Sequence, residues 1–187
     1  LTDFSAGKAA ITLGSTASLK QILNGYCGFN DNYPDGLYIA DENGTLITAD
    51  DSSKKDSDPA SSEWYKDGLT RVNMEFTDAY TNEDGDAVIS ASGILNDGSD
   101  TLKVISADLS LDRISIIVNS FIEMDDAQAF LVNPKDGSIL AHRDSSMIST
   151  KLSDSGDAFL KDVGAKVADG DYSLTKIDGN MTAFSEI

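Results

Sequence analysis

Apolar residues recur along this chain with a helical spacing in some segments and alternate with polar residues in others. A helical spacing runs from Phe4 to Leu23 and stops at Asn24-Gly25, which predicts an amphipathic helix over residues 4–24. A second helical pattern predicts a linking helix over residues 109–122. A short helix is predicted around Trp64, because a serine at 61 or 62 can cap it, and another is predicted within residues 156–167.

Extended segments occupy most of the remaining chain, and each is bounded by Gly, Asp or Asn. Between residues 50 and 57 the chain is polar throughout, and we interpret it as a mobile loop. The predicted strands and hairpins lie at residues 37–49, 72–80, 87–95, 101–107, 129–141, 172–177 and 181–187.

One hairpin pattern occurs twice. Residues 38–53 align without gaps on residues 131–146, at an offset of 93 residues, and both copies have an acidic turn ending in glycine. A second, shorter similarity aligns Asp84-Gly85-Asp86 with Asp178-Gly179-Asn180, at an offset of 94 residues. We therefore expect two copies of one module. The second copy stops before its last strand, so we expect it to be incomplete.

Composition and charge restrict the possible partners. With 187 residues and 40% hydrophobic content, the chain is long and apolar enough to fold. Its 14 basic and 32 acidic residues give a net charge of −18, which repels nucleic acid and anionic membrane surfaces. The expected partners are small molecules or other proteins. No apolar run approaches the length of a membrane span, so we expect any anchors to lie in flanking segments of a longer protein.

A candidate binding pocket is formed by aromatic residues and one acid. Trp64 is the only tryptophan and is followed by Tyr65, Tyr80 precedes a hairpin-like turn, and Asp108 ends an apolar run. Aromatic walls with a buried acid suit a flat heterocycle or an amine. Two alternatives remain open: the Trp-Tyr pair could be core residues at a helix–sheet seam, and Asp108 could cap the linking helix.

Catalytic and metal chemistry find little support in the sequence. The sole histidine, His142, has no cysteine nearby, and no serine lies in a nucleophile-elbow motif. The acidic turns lack the full spacing of a calcium loop, although calcium binding by an acidic surface module remains an alternative. The single Cys27 is expected to be a small buried apolar residue. We predict no enzyme activity, no catalytic residue, no metal and no cofactor.

Several motifs in order resemble a known family. These are D-P-x-x-x-x-W-Y from Asp58, F-T-D-x-Y from Phe76, V-I-S-x-S from Val88, and A-D-L-S-L-D from Ala107. Together with the repeat they resemble the double Cache family, the extracytoplasmic sensor domains of bacterial chemoreceptors, sensor kinases and cyclic-dinucleotide enzymes.

The resemblance implies an α+β fold in which a long N-terminal helix packs on two tandem PAS-like modules with antiparallel sheets. It divides the chain into the helix (1–25), a membrane-distal, ligand-binding module (26–108), a linker helix (109–122) and an incomplete membrane-proximal module (123–187). It further implies the extracytoplasmic part of a bacterial cell-membrane receptor, most simply a chemoreceptor, that is a homodimer at full length and binds a small molecule.

The resemblance also assigns specificity positions. In family members that resemble amino-acid sensors, an arginine two residues before the Trp-Tyr pair grips the ligand carboxylate, and here Ser62 occupies that position. An aspartate for the ligand ammonium is replaced by Asn82, whereas Asp108 matches. Because serine cannot replace a bidentate arginine, we predict a nucleobase-like heterocycle or an amine as ligand. An amino-acid or small-carboxylate sensor with a non-standard pocket is the alternative.

Overall fold

The computed structural model describes residues 16–28, 33, 35–124 and 126–186, without the side chains of residues 16–18 and 55. The chain divides after Arg113 into two compact units. Within the described ranges, no helix combines the length and the apolarity that a membrane crossing requires.

The described residues of the first unit form a six-stranded antiparallel sheet with two α-helices. In chain order the elements are α1 (Thr16–Asn24), β1 (Tyr38–Asp41), β2 (Leu46–Ile47), α2 (Glu63–Gly68), β3 (Glu75–Phe76), β4 (Tyr80–Thr81), β5 (Ala87–Ile94) and β6 (Lys103–Ser110). The sheet has the order β2-β1-β6-β5-β3, and β4 also pairs with β5. Helix α1 is the described part of the helix predicted over residues 4–24, whose first residues lie outside the described ranges.

The two long strands, β5 and β6, show the alternation of buried and exposed residues that a strand packed on one face requires. Their buried positions are unusually polar: Ser90 lies opposite Asp108, and Ser92 lies opposite Ser106. Buried polar groups need partners, so this seam marks the part of the sheet where hydrogen bonds replace apolar packing.

The strand predicted over residues 72–80 is two short strands, β3 and β4. Thr77 causes the break, because its hydroxyl accepts a hydrogen bond from the Ser90 N–H at 2.9 Å in place of a backbone carbonyl. The Thr77 N–H still donates to the Ser90 carbonyl at 2.9 Å. A side-chain bond of this kind competes with the regular ladder and turns the chain between the two short strands.

The predicted hairpin repeat is confirmed. Strand β1 pairs with β2 in the first unit, and β7 (Leu131–Val132) pairs with β8 (Ile139–Ala141) in the second. Both turns contain a glycine with positive φ, 81° at Gly44 and 71° at Gly137, the backbone region that favours glycine.

The second unit packs helix α4 (Ala158–Asp169) against the β7–β8 hairpin and a two-stranded ribbon of β9 (Thr175–Ile177) and β10 (Asn180–Thr182). Its core consists of Ile139, Leu152, Leu160, Val163 and Ile177.

The linking helix, α3 (Leu111–Ser120), begins after Ser110 and not at Asp108. The Ser110 hydroxyl accepts a hydrogen bond from the Arg113 N–H at 3.3 Å, the contact of an N-cap. Asp108 lies inside β6, paired with Ser90 of β5. The interpretation of Asp108 as a helix cap is therefore wrong, and its side chain is used elsewhere.

Candidate ligand-binding site

Asp108 is the centre of a buried polar cluster on the sheet of the first unit. Its Oδ1 accepts hydrogen bonds from the hydroxyls of Tyr38 on β1 and Ser90 on β5. The Tyr80 hydroxyl on β4 lies 3.3 Å from the same oxygen and 2.7 Å from the Ser90 hydroxyl. Three strands therefore direct hydroxyls at one carboxylate oxygen.

The other carboxylate oxygen of Asp108 meets a lysine. The Nζ of Lys54 lies 2.6 Å from Oδ2, an ion pair whose angles do not meet those of a hydrogen bond, and the two side chains are only 1% and 6% exposed. Nζ also contacts Oε2 of Glu83 at 2.8 Å and lies 5.3 Å from the centre of the Tyr38 ring. The ammonium is thus enclosed by two carboxylates and an aromatic face, a combination that recognises cations. We call Asp108, Glu83 and Tyr38 the ammonium cage.

Lys54 was not among the predicted site residues. The segment interpreted as a mobile polar loop contains a short 3-10 turn, Ser53–Asp56, capped by the Ser52 hydroxyl, and the turn places Lys54 inside. The one sequence feature that could have pointed to Lys54 is its position as a basic residue in a serine- and aspartate-rich stretch of an acidic chain. That signal was weak, because lysines are almost always exposed.

Burial and the neighbouring charges shift the pKa values of Lys54 and Glu83 in opposite directions. Burial disfavours the charged form of Lys54, but the carboxylates of Asp108 and Glu83 outweigh it, so the pKa of Lys54 is raised above its usual value. Burial likewise opposes the charge of Glu83, and its hydrogen bond with Lys54 nevertheless lowers the pKa of that carboxyl. Burial and the nearby Asp108 raise the pKa values of the Tyr38 and Tyr80 hydroxyls, so both remain donors at neutral pH.

The predicted aromatic pair lies next to the cage. Trp64 is fully buried and meets the Tyr38 ring edge-on, with ring centroids 4.8 Å apart. Its Nε1 has no hydrogen-bond partner among the described residues, which is rare for a buried donor. Tyr65 packs edge-on against Trp64 and donates its hydroxyl to the Asp41 carbonyl at 3.0 Å. Both residues are on α2 and belong to the hydrophobic core between this helix and the sheet. The Nε1–H group of Trp64 is a buried donor without a partner among the described residues.

Ser62 and Asn82, which were predicted to determine ligand specificity, lie in different surroundings. Ser62, one of the two predicted caps, occupies the N-cap position of α2, but its side chain makes no capping hydrogen bond. Its buried hydroxyl instead contacts Oε1 of Glu83 at 3.0 Å. The Ser61 hydroxyl donates to the carbonyl of Asp58. Asn82 uses its side-chain oxygen within a turn, accepting from the N–H groups of Asp84 and Asp86.

The structure therefore brings Tyr80, Asp108 and Ser62 to the cage and Trp64 to its aromatic wall. The oxygen of Asn82 is held in the turn that carries Glu83.

The second unit offers two shallow depressions and a turn with local polar contacts. One depression, of about 380 Å³, is lined by residues that include His142, Asp144 and Leu160. His142 Nδ1 is engaged by the Asp144 N–H at 3.0 Å, so the histidine serves its own turn. Over the described part of the chain, no three acidic, histidine or cysteine side chains cluster as a metal site would require. We therefore place the candidate ligand site in the first unit.

Residues 10–116 match the family described as "Methyl-accepting chemotaxis protein-like, first PDC sensor domain". The methyl-accepting chemotaxis protein McpG of Pseudomonas putida KT2440 is 32% identical over 119 residues, which are 63% of this chain and 19% of McpG. The chain therefore spans about a fifth of the length of this relative.

Two solved structures have a similar fold. The ligand-binding domain of the amino-acid chemoreceptor PctB of Pseudomonas aeruginosa PAO1, in complex with L-Arg, is 29% identical with a TM-score of 0.53, over 63% of this chain and 47% of that one. The ligand-binding domain of the chemoreceptor CtaA of Pseudomonas fluorescens, in complex with L-serine, has a TM-score of 0.66 at 21% identity, over 92% of this chain and 73% of that one.

The resemblance to double Cache sensors and the α+β fold with antiparallel sheets are confirmed by these matches. The match covers more than half of the chain, including all of the cage. The chain belongs to the methyl-accepting chemotaxis protein-like family, of which residues 10–116 match the first PDC sensor domain.

Proposed function

We propose that the first unit is the extracytoplasmic ligand-binding part of a bacterial chemoreceptor, and that its ligand is a small metabolite carrying an amino group. The observation that carries the proposal is the ammonium cage, which holds a cation between Asp108, Glu83 and the Tyr38 ring. A site with this charge and ring arrangement favours a protonated amine over a neutral or anionic ligand.

Signalling requires that the ligand favour one conformation of the unit over another. In the receptor, we propose that such a shift passes through α3 and the second unit to membrane-spanning segments of the full-length protein, in which the chain is a homodimer. McpG, a chemotaxis protein, supports this placement.

Amine ligands fall into two classes: simple amines, and amino acids, which carry a carboxylate in addition to the amino group. A simple amine is favoured by Ser62, which provides no carboxylate clamp and instead contacts Glu83. An amino acid is favoured by the unsatisfied Trp64 Nε1, which a ligand carboxylate would satisfy, and by the L-Arg and L-serine bound to PctB and CtaA. The nucleobase-like ligand has less support, because the Asn82 oxygen is already used by its turn.

A matched pair of ligands tests this proposal. L-Leucine and isoamylamine share one side chain and an amino group and differ by the carboxylate. We expect isoamylamine to bind at least as tightly as L-leucine in isothermal titration, and isoamyl alcohol, which lacks the charge, to bind neither detectably nor competitively. Binding of the alcohol as tightly as the amine would overturn the amine site. Binding of L-leucine alone would establish the amino-acid alternative.

The variant Asp108→Asn provides the site control. It removes the buried negative charge while keeping the shape of the side chain, so amine affinity should fall at least tenfold. Asp100→Asn, on an exposed loop of the same unit, should leave affinity unchanged.

A further inference from the structure

Lys54 lies on a short segment, residues 52–56, which we call the strap. The Ser52 and Ser53 hydroxyls and the Ser53 N–H all contact the carboxylate of Asp35, at 2.7–3.2 Å. The Ser53 hydroxyl also lies 2.6 Å from Oδ2 of Asp84. Most of these contacts are exposed, so water can replace them. On the inner side, Lys54 pairs with Asp108 and Glu83.

Both oxygens of the Asp108 carboxylate face a polar or charged neighbour while Lys54 is in place. Three hydroxyls, from Tyr38, Ser90 and Tyr80, surround Oδ1, and the Lys54 ammonium lies on Oδ2. The Asp108 side chain is only 6% exposed in this arrangement, so a ligand ammonium cannot reach the carboxylate unless one of these groups moves.

Lys54 is the group that a ligand amine can replace without changing the net charge of the cage. Exchanging one ammonium for another leaves the buried carboxylate paired, whereas removing a hydroxyl would bring two cations into the same cage. The three hydroxyls belong to residues on strands of the sheet, while the lysine lies on the strap.

We propose that Lys54 is a tethered amine that occupies the ligand's ammonium position, and that a ligand binds by displacing it and releasing the strap. This inference rests on the proposed amine-binding function. Lys54 then competes with the ligand from within the protein and so sets the ligand concentration needed for a response. The strap is the segment that is released when the ligand binds.

The cavity left by truncating Lys54 provides the test. Lys54→Ala removes three methylenes and the ammonium, which n-propylamine restores atom for atom. We expect n-propylamine to raise the melting temperature of Lys54→Ala saturably, and to bind it at least tenfold more tightly than it binds the wild-type protein. n-Propanol, which fills the same space without charge, should not reproduce the effect.

The outcomes separate the inference from the function on which it rests. Equal affinity of n-propylamine for the wild type and Lys54→Ala would overturn the displacement and leave the amine site standing. No binding of n-propylamine to a folded Lys54→Ala would overturn both.

A second variant covers the case in which Lys54→Ala does not fold. Ser53→Ala keeps Lys54 and removes the hydroxyl that fastens the strap to Asp35 and Asp84. We expect three- to tenfold tighter binding of n-propylamine than in the wild type, because the strap opens more easily. Ser99→Ala, which removes an exposed serine–aspartate contact elsewhere in the unit, is the matched control and should have no effect. Unchanged affinity in Ser53→Ala would contradict the proposal.

Discussion

Two ion pairs of the first unit have the same length and different surroundings. Lys54–Asp108 and Lys20–Asp50 both have an N···O distance of 2.6 Å, but the first is buried and the second is exposed. Removing one partner of a buried pair leaves an uncompensated charge in a medium of low polarity, whereas an exposed charge is solvated.

We therefore expect Lys54→Met to lower the free energy of unfolding by about 3–5 kcal/mol. Lys20→Met should lower it by about 1 kcal/mol or less. The double variant Lys54→Met/Asp108→Asn should recover a large part of the loss, because no buried charge then remains unpaired. Urea denaturation of the four proteins measures these differences, and similar losses at Lys54 and Lys20 would show that the buried pair is solvated.

Glu83 gives the cage a dependence on pH. Its pKa is lowered from the usual 4.5 by the bond with Lys54, despite the opposing effect of burial, so its stabilising contribution is present above about pH 4.5 and is lost as the pH falls through the folded pKa. The carboxylate is partly exposed, which limits its contribution to about 1 kcal/mol.

Thermal unfolding of the wild type and Glu83→Gln between pH 3 and 7 tests this dependence. The wild type should be the more stable at pH 6–7, and the two curves should converge at the acidic end. A difference that is constant across the range would assign the effect to packing and not to charge.

Among single residues, the sequence predicted the acid and the aromatics of the buried cluster but not its cation. Asp108, Tyr80 and Trp64 could be predicted because their order along the chain resembles a known family. Lys54 could not, because its burial depends on carboxylates that lie far along the chain, and no local pattern predicts a buried lysine.

At the scale of elements, one glycine allows helix α2 to approach the sheet. A Cβ added at Gly68 would lie 2.3 Å from Cγ1 of Val104, a fully buried residue of β6 in the core beside Trp64. The helix would have to move away from the strand to accept any side chain.

We expect Gly68→Ala to lower the free energy of unfolding by about 1–3 kcal/mol through overpacking. Gly156→Ala is the matched control, since a Cβ there meets no atom within 4 Å, and its effect should be within about 1 kcal/mol of zero. Chemical denaturation monitored by circular dichroism compares the two. A neutral Gly68→Ala would mean that α2 shifts without loss of packing.

Elements with a regular period or glycine turn, such as the repeated hairpin and strands β5 and β6, could be predicted from the sequence. The break between β3 and β4 could not, because it depends on a bond between Thr77 and Ser90, which are on different strands. The capping of α3 was also misplaced by two residues, since both Asp108 and Ser110 fit the cap pattern and only tertiary contacts distinguish them.

At the scale of the whole molecule, the net charge of −18 acts on stability and on ligand capture in opposite directions. Repulsion among like charges destabilises the compact state, and the same field attracts cations to the surface. Added salt weakens both effects, because the screening length falls from about 30 Å at 0.01 M to about 8 Å at 0.15 M.

We expect the melting temperature to rise by a few degrees between these two salt concentrations, and the association rate of an amine ligand to fall severalfold. Differential scanning calorimetry and stopped-flow binding measure the two quantities on the same protein. An uncharged osmolyte at equal osmolality controls for effects other than screening, and a melting temperature that falls with salt would contradict the dominance of repulsion.

The burial of Trp64 also has an optical consequence. It is the only indole in the chain, it is fully shielded from water, and its ring contacts Tyr38, which itself bonds the central carboxylate. Excitation at the long-wavelength edge of the ultraviolet band, where tyrosine does not absorb, therefore reports from one known position, beside the cage. Its emission wavelength and its accessibility to a collisional quencher follow the opening of that position in real time, so ligand screening of this sensor requires no attached dye.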